Sequence, residues 1–227
     1  MFFKFRFLLC ALLWPFFVIA NPCLDAIQRI EDQQGIPKLL MNAIAVIESG
    51  RVHPNDKTKK MEPWPWTINV NGKGYYFETK TAALSKVRQC LREGIKNIDV
   101  GCMQINLNHH PKAFPSLDDA FDPYKNALYA AKFLKDLMQE KRSWSMAVGH
   151  YHSRAYQHYI SYRKRVYDQW NREKLKKAGI YNITSVGESR KRPNAWFSGL
   201  KSPLKVPSIA PRMKVKNHYH FLFPHAK

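Results

Sequence analysis

The residue best suited to chemistry is Glu48, which directly follows an apolar run at residues 43–47. Helical spacing predicts a helix that begins at Pro37 and ends at Gly50, with Glu48 in its last turn. Apolar neighbours and the negative end of the helix dipole both disfavour a carboxylate, so they raise the pKa of Glu48. A carboxyl group that is protonated near neutral pH can donate a proton to a glycosidic oxygen. A glutamate in a last helical turn is, however, most often a solvated surface group.

The elements that must position Glu48 are predicted to be mostly helices, because apolar residues recur at helical spacing and capping residues precede them. Two β-prone runs flank Asn71-Gly72, which predicts a hairpin between residues 66 and 77. Segment 51–65 contains three prolines and is predicted to be loop, and segment 95–108 is predicted to be irregular or extended. The fold class is therefore mainly α with a small β-hairpin. The predicted helices cover residues 23–33, 37–50, 79–94, 122–140, 143–152 (or 145–152) and 155–169.

The first twenty residues have the pattern of a secretory signal peptide. Lys4 and Arg6 precede an apolar run at residues 7–19, and the small residues Val18 and Ala20 stand where a signal peptidase reads the chain. A membrane span would need about 20 apolar residues, and this run has thirteen. We therefore predict that residues 1–20 are removed and that the mature chain is periplasmic or secreted.

The chain is strongly basic, with a net charge of +20 over 227 residues. Residues 171–227 hold thirteen Lys and Arg against Glu173 and Glu188, a net charge of +11, together with five prolines. This segment lacks apolar periodicity, so we predict a basic C-terminal extension after a folded domain at residues 21–170. The charge predicts an acidic partner, either nucleic acid, an anionic membrane or an anionic polymer such as cell wall. Predicted export makes a specific nucleic-acid partner the least compatible of the three.

Three segments carry a resemblance to a known family. They are Ala45-Val-Ile-Glu-Ser-Gly50, Gly101-Cys-Met-Gln-Ile-Asn106 and Ala147-Val-Gly-His-Tyr-His-Ser153. In this order and spacing they resemble the three motifs of the lytic transglycosylases related to the soluble transglycosylase and to goose-type lysozyme. The resemblance covers about residues 23–168, and the segment between the first two motifs is similar to an insertion in one branch of these enzymes. Two positions depart from the usual pattern, because Cys102 replaces Leu and His152 replaces Asn.

The resemblance implies a lysozyme-like helical domain at residues 21–170 with a small β-hairpin insertion. It implies an enzyme that cleaves the MurNAc-β-1,4-GlcNAc bond of peptidoglycan glycan strands and leaves a 1,6-anhydro-MurNAc end. Glu48 would be the single general acid and base, and no cofactor or metal would be needed. Ser49 would orient Glu48 or the N-acetyl group of the sugar, and Tyr151 would hydrogen-bond near Glu48. The residues implied to line the cleft are Met103, Gln104 and Asn106.

Two other functions remain open. A hydrolytic muramidase would use two carboxylates, and Asp99, just before the second motif, is the best candidate to act with Glu48. A basic binding protein for cell wall, membrane or nucleic acid would use the same scaffold without catalysis. A metal site is not predicted, because the histidines at 109–110 and at 150 and 152 lack zinc-ligand spacing with Cys or Glu partners. Wall turnover and local wall opening for an envelope-spanning secretion or conjugation machine are both compatible cellular roles.

Export would leave Cys23, Cys90 and Cys102 in an oxidising compartment, which predicts one disulfide and one free thiol. Cys90 lies near the apolar face of a predicted helix, where a buried free cysteine is common. Cys23 lies at the mature N-terminus and Cys102 in a non-helical segment, and the similar branch of the family tends to have cysteines at both places. We therefore predict a Cys23–Cys102 disulfide, with Cys90–Cys102 as the rival pairing.

The basic extension is expected to hold the protein on an anionic surface by non-specific attraction, because its charge is dense and its pattern irregular. Deleting residues 176–227 should weaken binding to purified cell-wall sacculi at low salt and leave turnover of soluble wall fragments intact. Co-sedimentation with sacculi over a salt series measures the effect. Unchanged binding would instead indicate a solubilising tail.

Overall fold

A computed structural model describes residues 21–53 and 57–180. The predicted signal peptide at residues 1–20 and residues 181–227 of the predicted extension lie outside the described residues. The described chain is mostly helical with small antiparallel sheets, which confirms the predicted mainly α fold class. Its helices are α1 (Pro22–Gln34), α2 (Leu40–Ser49), α3 (Lys80–Arg92), α4 (Leu117–Ala120), α5 (Pro123–Lys141), α6 (Trp144–His152) and α7 (Tyr156–Lys177). Its strands are β1 (Gly50–Val52), β2 (Met61–Pro63), β3 (Thr67–Val70), β4 (Lys73–Tyr76), β5 (Ile98–Val100) and β6 (Ile105–Asn106).

The helices enclose one of two buried apolar clusters. Helix α1 packs on α5, α5 on α6, α6 on α7, and α7 on α2, which also contacts α1. Most of α2 is buried, because its sequence is apolar on nearly all sides. Its last residues, Glu48 and Ser49, lead directly into β1, so they lie where the helices meet the strands. None of the helices in the described ranges is both long and apolar enough to cross a bilayer.

The N-terminus of α2 depends on a buried glutamate from α1. Leu39, at the N-cap position, supplies no side-chain cap. Glu31 instead accepts hydrogen bonds from the backbone N–H groups of Leu39 (2.7 Å), Met41 (2.7 Å) and Asn42 (3.3 Å). Such groups lack partners within the helix, and the positive end of the helix dipole favours a carboxylate beside them. The helix thus begins at Leu40, three residues after the predicted start.

The predicted hairpin is confirmed, and it belongs to a larger sheet. Strands β3 and β4 pair around Asn71-Gly72, where both residues have positive φ values of 51° and 88°, as a type I′ turn requires. The strand order is β4-β3-β5-β6, so segment 95–108 contributes two further strands. The prediction that segment 51–65 is loop was wrong at its two ends, because β1 and β2 pair there. Strands this short do not show enough alternation to be recognised in the sequence.

The last helix is longer than predicted. It continues to Lys177, whereas the sequence predicted an end near Gln169 and an extended segment from residue 171. Gln169 is buried, and the indole N–H of Trp170 donates to the Lys38 carbonyl over 2.8 Å. Because these tertiary contacts stabilise the added turns, the charge-rich sequence alone does not reveal them. Deletion of the basic extension is accordingly better made after residue 180, which leaves α7 intact.

A disulfide ties α1 to the segment that follows β5. Cys23 is bonded to Cys102, with the two Cα atoms 5.8 Å apart and the two residues 79 positions apart in the sequence. Cys90 in α3 is a buried free thiol. The predicted pairing is therefore confirmed, and the rival Cys90–Cys102 pairing is wrong.

Removing the disulfide should destabilise the fold by about 2 to 4 kcal/mol, because a closed loop of this length restricts the unfolded chain. Urea unfolding of the double variant Cys23→Ala/Cys102→Ala measures the change in the free energy of unfolding. Cys90→Ala is the control, since it also removes a buried sulfur atom but opens no loop. Equal losses in the two proteins would contradict the prediction.

Candidate active site

Glu48 lies in the last turn of α2 and faces α7. Its Oε1 atom accepts a hydrogen bond of 2.5 Å from the hydroxyl of Tyr162, whose residue is only 1% exposed. Burial raises the pKa of Glu48 from 4.5 to about 7, although the Tyr162 hydrogen bond lowers it. The negative charge of Asp99 adds to the rise, and the positive charge of Arg165 opposes it. The carboxyl is therefore neutral in a large fraction of molecules near neutral pH. The pKa is raised, as the apolar residues before Glu48 predicted.

Asp99 on β5 is a second carboxyl, and its charge acts on Glu48. The amide of Asn106 on β6 donates to its Oδ1 atom over 2.8 Å. Burial raises the pKa of Asp99, whereas the Asn106 hydrogen bond and the positive charge of His109 lower it. Titratable groups with shifted pKa values that act on one another are typical of sites that move protons. Within the described ranges, no three His, Cys, Asp or Glu side chains gather into a group that could hold a metal ion.

Residues 101–104 form a turn, here called the 101–104 turn, which is fixed by Asn126 of α5. The side chain of Asn126 is buried, and its Oδ1 atom accepts from the Met103 N–H over 2.9 Å. Its Nδ2 atom donates to the carbonyls of Val100 and Ala120, each over 3.0 Å. Gly101 has a φ of 81°, and a Cβ there would lie 2.5 Å from the Asn126 side chain. Both backbone conformation and space therefore require glycine at this position.

Two of the predicted site residues, Ser49 and Met103, are fully buried. The Ser49 hydroxyl lies 2.7 Å from the carbonyl of Cys102, to which it donates. The hydroxyl also lies 3.1 Å from the Ala45 carbonyl and accepts from the Trp64 N–H over 3.3 Å. Its implied role in orienting Glu48 or the sugar therefore stays a prediction. The Met103 side chain packs in the helical core. Ser49 therefore holds the backbone of the 101–104 turn, and the Met103 side chain anchors that turn in the core.

The other two predicted cleft residues, Gln104 and Asn106, are partly exposed. The side-chain amide of Gln104 donates to the carbonyls of Gly101 over 3.0 Å and Thr67 over 3.1 Å. Asn106 holds the carboxyl of Asp99, as described above. Gln104 thus links the 101–104 turn to the hairpin, and Asn106 is a direct neighbour of the second carboxyl.

The tyrosine that hydrogen-bonds Glu48 is Tyr162 of α7, whereas Tyr151 of α6 bonds to the turn. The Tyr151 hydroxyl donates to the Met103 carbonyl over 2.9 Å. Burial and the negative charges of Glu48 and Asp99 raise its pKa, so Tyr151 lies near both carboxyls. Sequence reasoning missed Tyr162, which belongs to no motif. The one sequence feature that could have indicated its burial is the four-residue spacing to Val166, which puts both side chains on one helical face. Both are buried in the structure.

Comparison with known proteins finds a family match. Residues 25–175 match a family model described as the transglycosylase SLT domain. The match covers about two thirds of the 227 residues and includes all three motif segments and Tyr162. No curated protein and no solved structure matches the chain.

Burial of Glu48 should make the protein less stable as the pH rises. The folded pKa of about 7 lies above the ordinary value of 4.5, so the folded state loses stability relative to the unfolded state between these two values. Glu48→Gln removes the buried charge and should raise the free energy of unfolding by about 1 to 3 kcal/mol at pH 8. Below pH 4.5 the difference between the two proteins should be small, because Glu48 is then neutral in both the folded and the unfolded chain. Urea unfolding at both pH values measures this, and a difference independent of pH would contradict it.

Proposed function

The chain belongs to the transglycosylase SLT family, and on this premise we propose that it is a lytic transglycosylase that cleaves the MurNAc-β-1,4-GlcNAc bond of peptidoglycan. The product end would be a 1,6-anhydro-MurNAc ring. The observation that carries the proposal is the partly buried Glu48, whose pKa of about 7 suits a group that both gives and takes a proton. Since peptidoglycan lies outside the cytoplasmic membrane, the mature enzyme would be periplasmic or secreted, which fits the predicted signal peptide.

In the proposed first step, the neutral carboxyl of Glu48 donates its proton to O4 of the departing GlcNAc while the C1–O4 bond breaks. The N-acetyl carbonyl of MurNAc stabilises the anomeric carbon. The 6-hydroxyl of the same sugar then attacks C1 and gives its proton to the Glu48 carboxylate. A C1–O6 bond replaces the C1–O4 bond, no water is consumed, and Glu48 is protonated again. One carboxyl is therefore enough, unlike in most glycosidases.

Tyr162 fits this double role of Glu48. Its hydrogen bond occupies Oε1, so we assign proton transfer to the other carboxyl oxygen, Oε2. The bond stabilises the carboxylate that forms after proton donation, whereas burial stabilises the neutral acid that must be regenerated. Because the two influences oppose each other, neither protonation state is greatly favoured near pH 7.

A hydrolytic muramidase is the second candidate, because the charge of Asp99 acts directly on Glu48. Asp99 would then orient or deprotonate a water molecule while Glu48 protonates the leaving oxygen. The hydrogen bond from Asn106 would hold the Asp99 carboxyl in place. The two reactions leave different sugar ends, since hydrolysis gives reducing ends and transglycosylation gives anhydro ends.

Glu48→Gln should reduce cleavage of purified sacculi by about 10²- to 10⁴-fold, towards the upper value, because one group acts as both acid and base. Asp99→Asn has nearly the same shape and should retain most of the activity. Chromatography and mass spectrometry of the released fragments measure both the rate and the sugar ends. Anhydro ends are expected.

Three outcomes would contradict this assignment in different ways. Near-normal activity of Glu48→Gln would exclude Glu48 as the acid. Reducing ends, together with an inactive Asp99→Asn variant, would favour the hydrolase. A wild-type protein that binds sacculi in a salt-dependent manner but releases no fragments would favour the binding scaffold.

A further inference from the structure

The end of α6 lies directly against the tyrosine that contacts Glu48. His152, the last residue of α6, stacks its ring on that of Tyr162, with the ring centroids 4.6 Å apart and the planes inclined by only 7°. Tyr162 is buried, while His152 is exposed. The guanidinium of Arg165 lies 5.7 Å from the centre of the same tyrosine ring. The ring of Tyr162 is thus held by neighbours from α6 and α7, and its hydroxyl contacts α2.

The plane of the tyrosine ring decides where its hydroxyl hydrogen points. A phenolic oxygen is conjugated with the ring, so its O–H bond prefers to lie in the ring plane. Rotation of the ring leaves the oxygen in place but turns the hydrogen away from its acceptor. A hydrogen bond weakens steeply as its angle departs from linearity. A flat stack that fixes the ring plane therefore also fixes the direction of the bond from Tyr162 to Glu48.

His152 is suited to this task because it remains uncharged near neutral pH. The Tyr162 ring excludes water from one face of the imidazole, and this desolvation lowers its pKa, as do the positive charges of Arg165 and His158. The other titratable groups around the Tyr162–Glu48 pair are Asp99 and Tyr151. A neutral imidazole can stack flat on a phenol without adding a positive charge that would favour ionised Glu48.

We propose that His152 is a positioning residue that keeps the Tyr162 hydroxyl aimed at Oε1 of Glu48 through the flat stack of their rings. The proposal deepens the proposed function, because that bond acts on the general acid and base. It also gives a role to the position at which the third motif departs from the family pattern, with histidine in place of asparagine.

The matched variants are His152→Asn, which removes the stacking ring, and His152→Phe, which keeps it. The pKa of Glu48 is measured directly by NMR titration of carboxyl-labelled glutamate, with Glu48→Gln identifying the resonance. The Tyr162 hydrogen bond lowers the pKa of Glu48, so Tyr162→Phe should raise it. His152→Asn should raise it in the same direction, and His152→Phe should leave it near the wild-type value. In the Tyr162→Phe background, His152→Asn should cause no further rise, because the bond is already absent.

Activity provides a second measurement. His152→Asn should lower kcat on soluble wall fragments by about three- to tenfold, the effect of one hydrogen bond, with KM unchanged, and His152→Phe should restore it. A lowered pKa of Glu48 in His152→Asn would overturn the proposal, because it would mean that His152 only shields the site from water. An unchanged pKa, or the same rise in the Tyr162→Phe background, would overturn it too. The titration needs no enzymatic activity, so it tests His152 even if wall cleavage is not observed.

Discussion

The fixed position of the 101–104 turn is the constraint on which the candidate site depends. Four helices hold this turn, through the disulfide from α1, Ser49 from α2, Asn126 from α5 and Tyr151 from α6. The three hydrogen bonds all engage backbone groups of the turn, so a shift would leave buried polar groups without partners. Each such group costs about 1 to 3 kcal/mol. The turn, the neighbouring strand β5 and the end of α2 therefore keep one relative arrangement.

The side chains of two glutamates lie at opposite ends of α2, and they have different roles. Glu31 lies at the N-terminal end, where three backbone N–H groups donate to it and the helix dipole favours its charge. Glu48 lies at the C-terminal end, where the dipole disfavours charge and Tyr162 is its hydrogen-bond donor. Burial raises the pKa of both, but several hydrogen bonds oppose it at Glu31. The site thus keeps a carboxyl poised between two protonation states. The cost is a free energy of unfolding that falls as the pH rises from 4.5 to about 7.

Much of the fold could be predicted from the sequence, because its signals act between residues close in the chain. The helix after Thr79 and the helix after Asp122 begin where their capping side chains predicted. Asn71-Gly72 forms the predicted hairpin turn. The raised pKa of Glu48 follows in part from its own helix, through the apolar run before it and the end of the helix dipole. The Cys23–Cys102 pairing was also predicted, but with the help of the family resemblance.

Only the tertiary structure decided which side chains surround Glu48. Its partner Tyr162 is 114 residues away in the chain, and Asn126, which holds the 101–104 turn, lies in no motif. The pairing of β5 with β3 and the added turns of α7 likewise depend on packing between distant segments. Periodicity and capping extend over a few residues, so they locate helices and turns along the chain. They carry no information on which faces meet, and the bond that acts on Glu48 exists only once α2 and α7 have packed together.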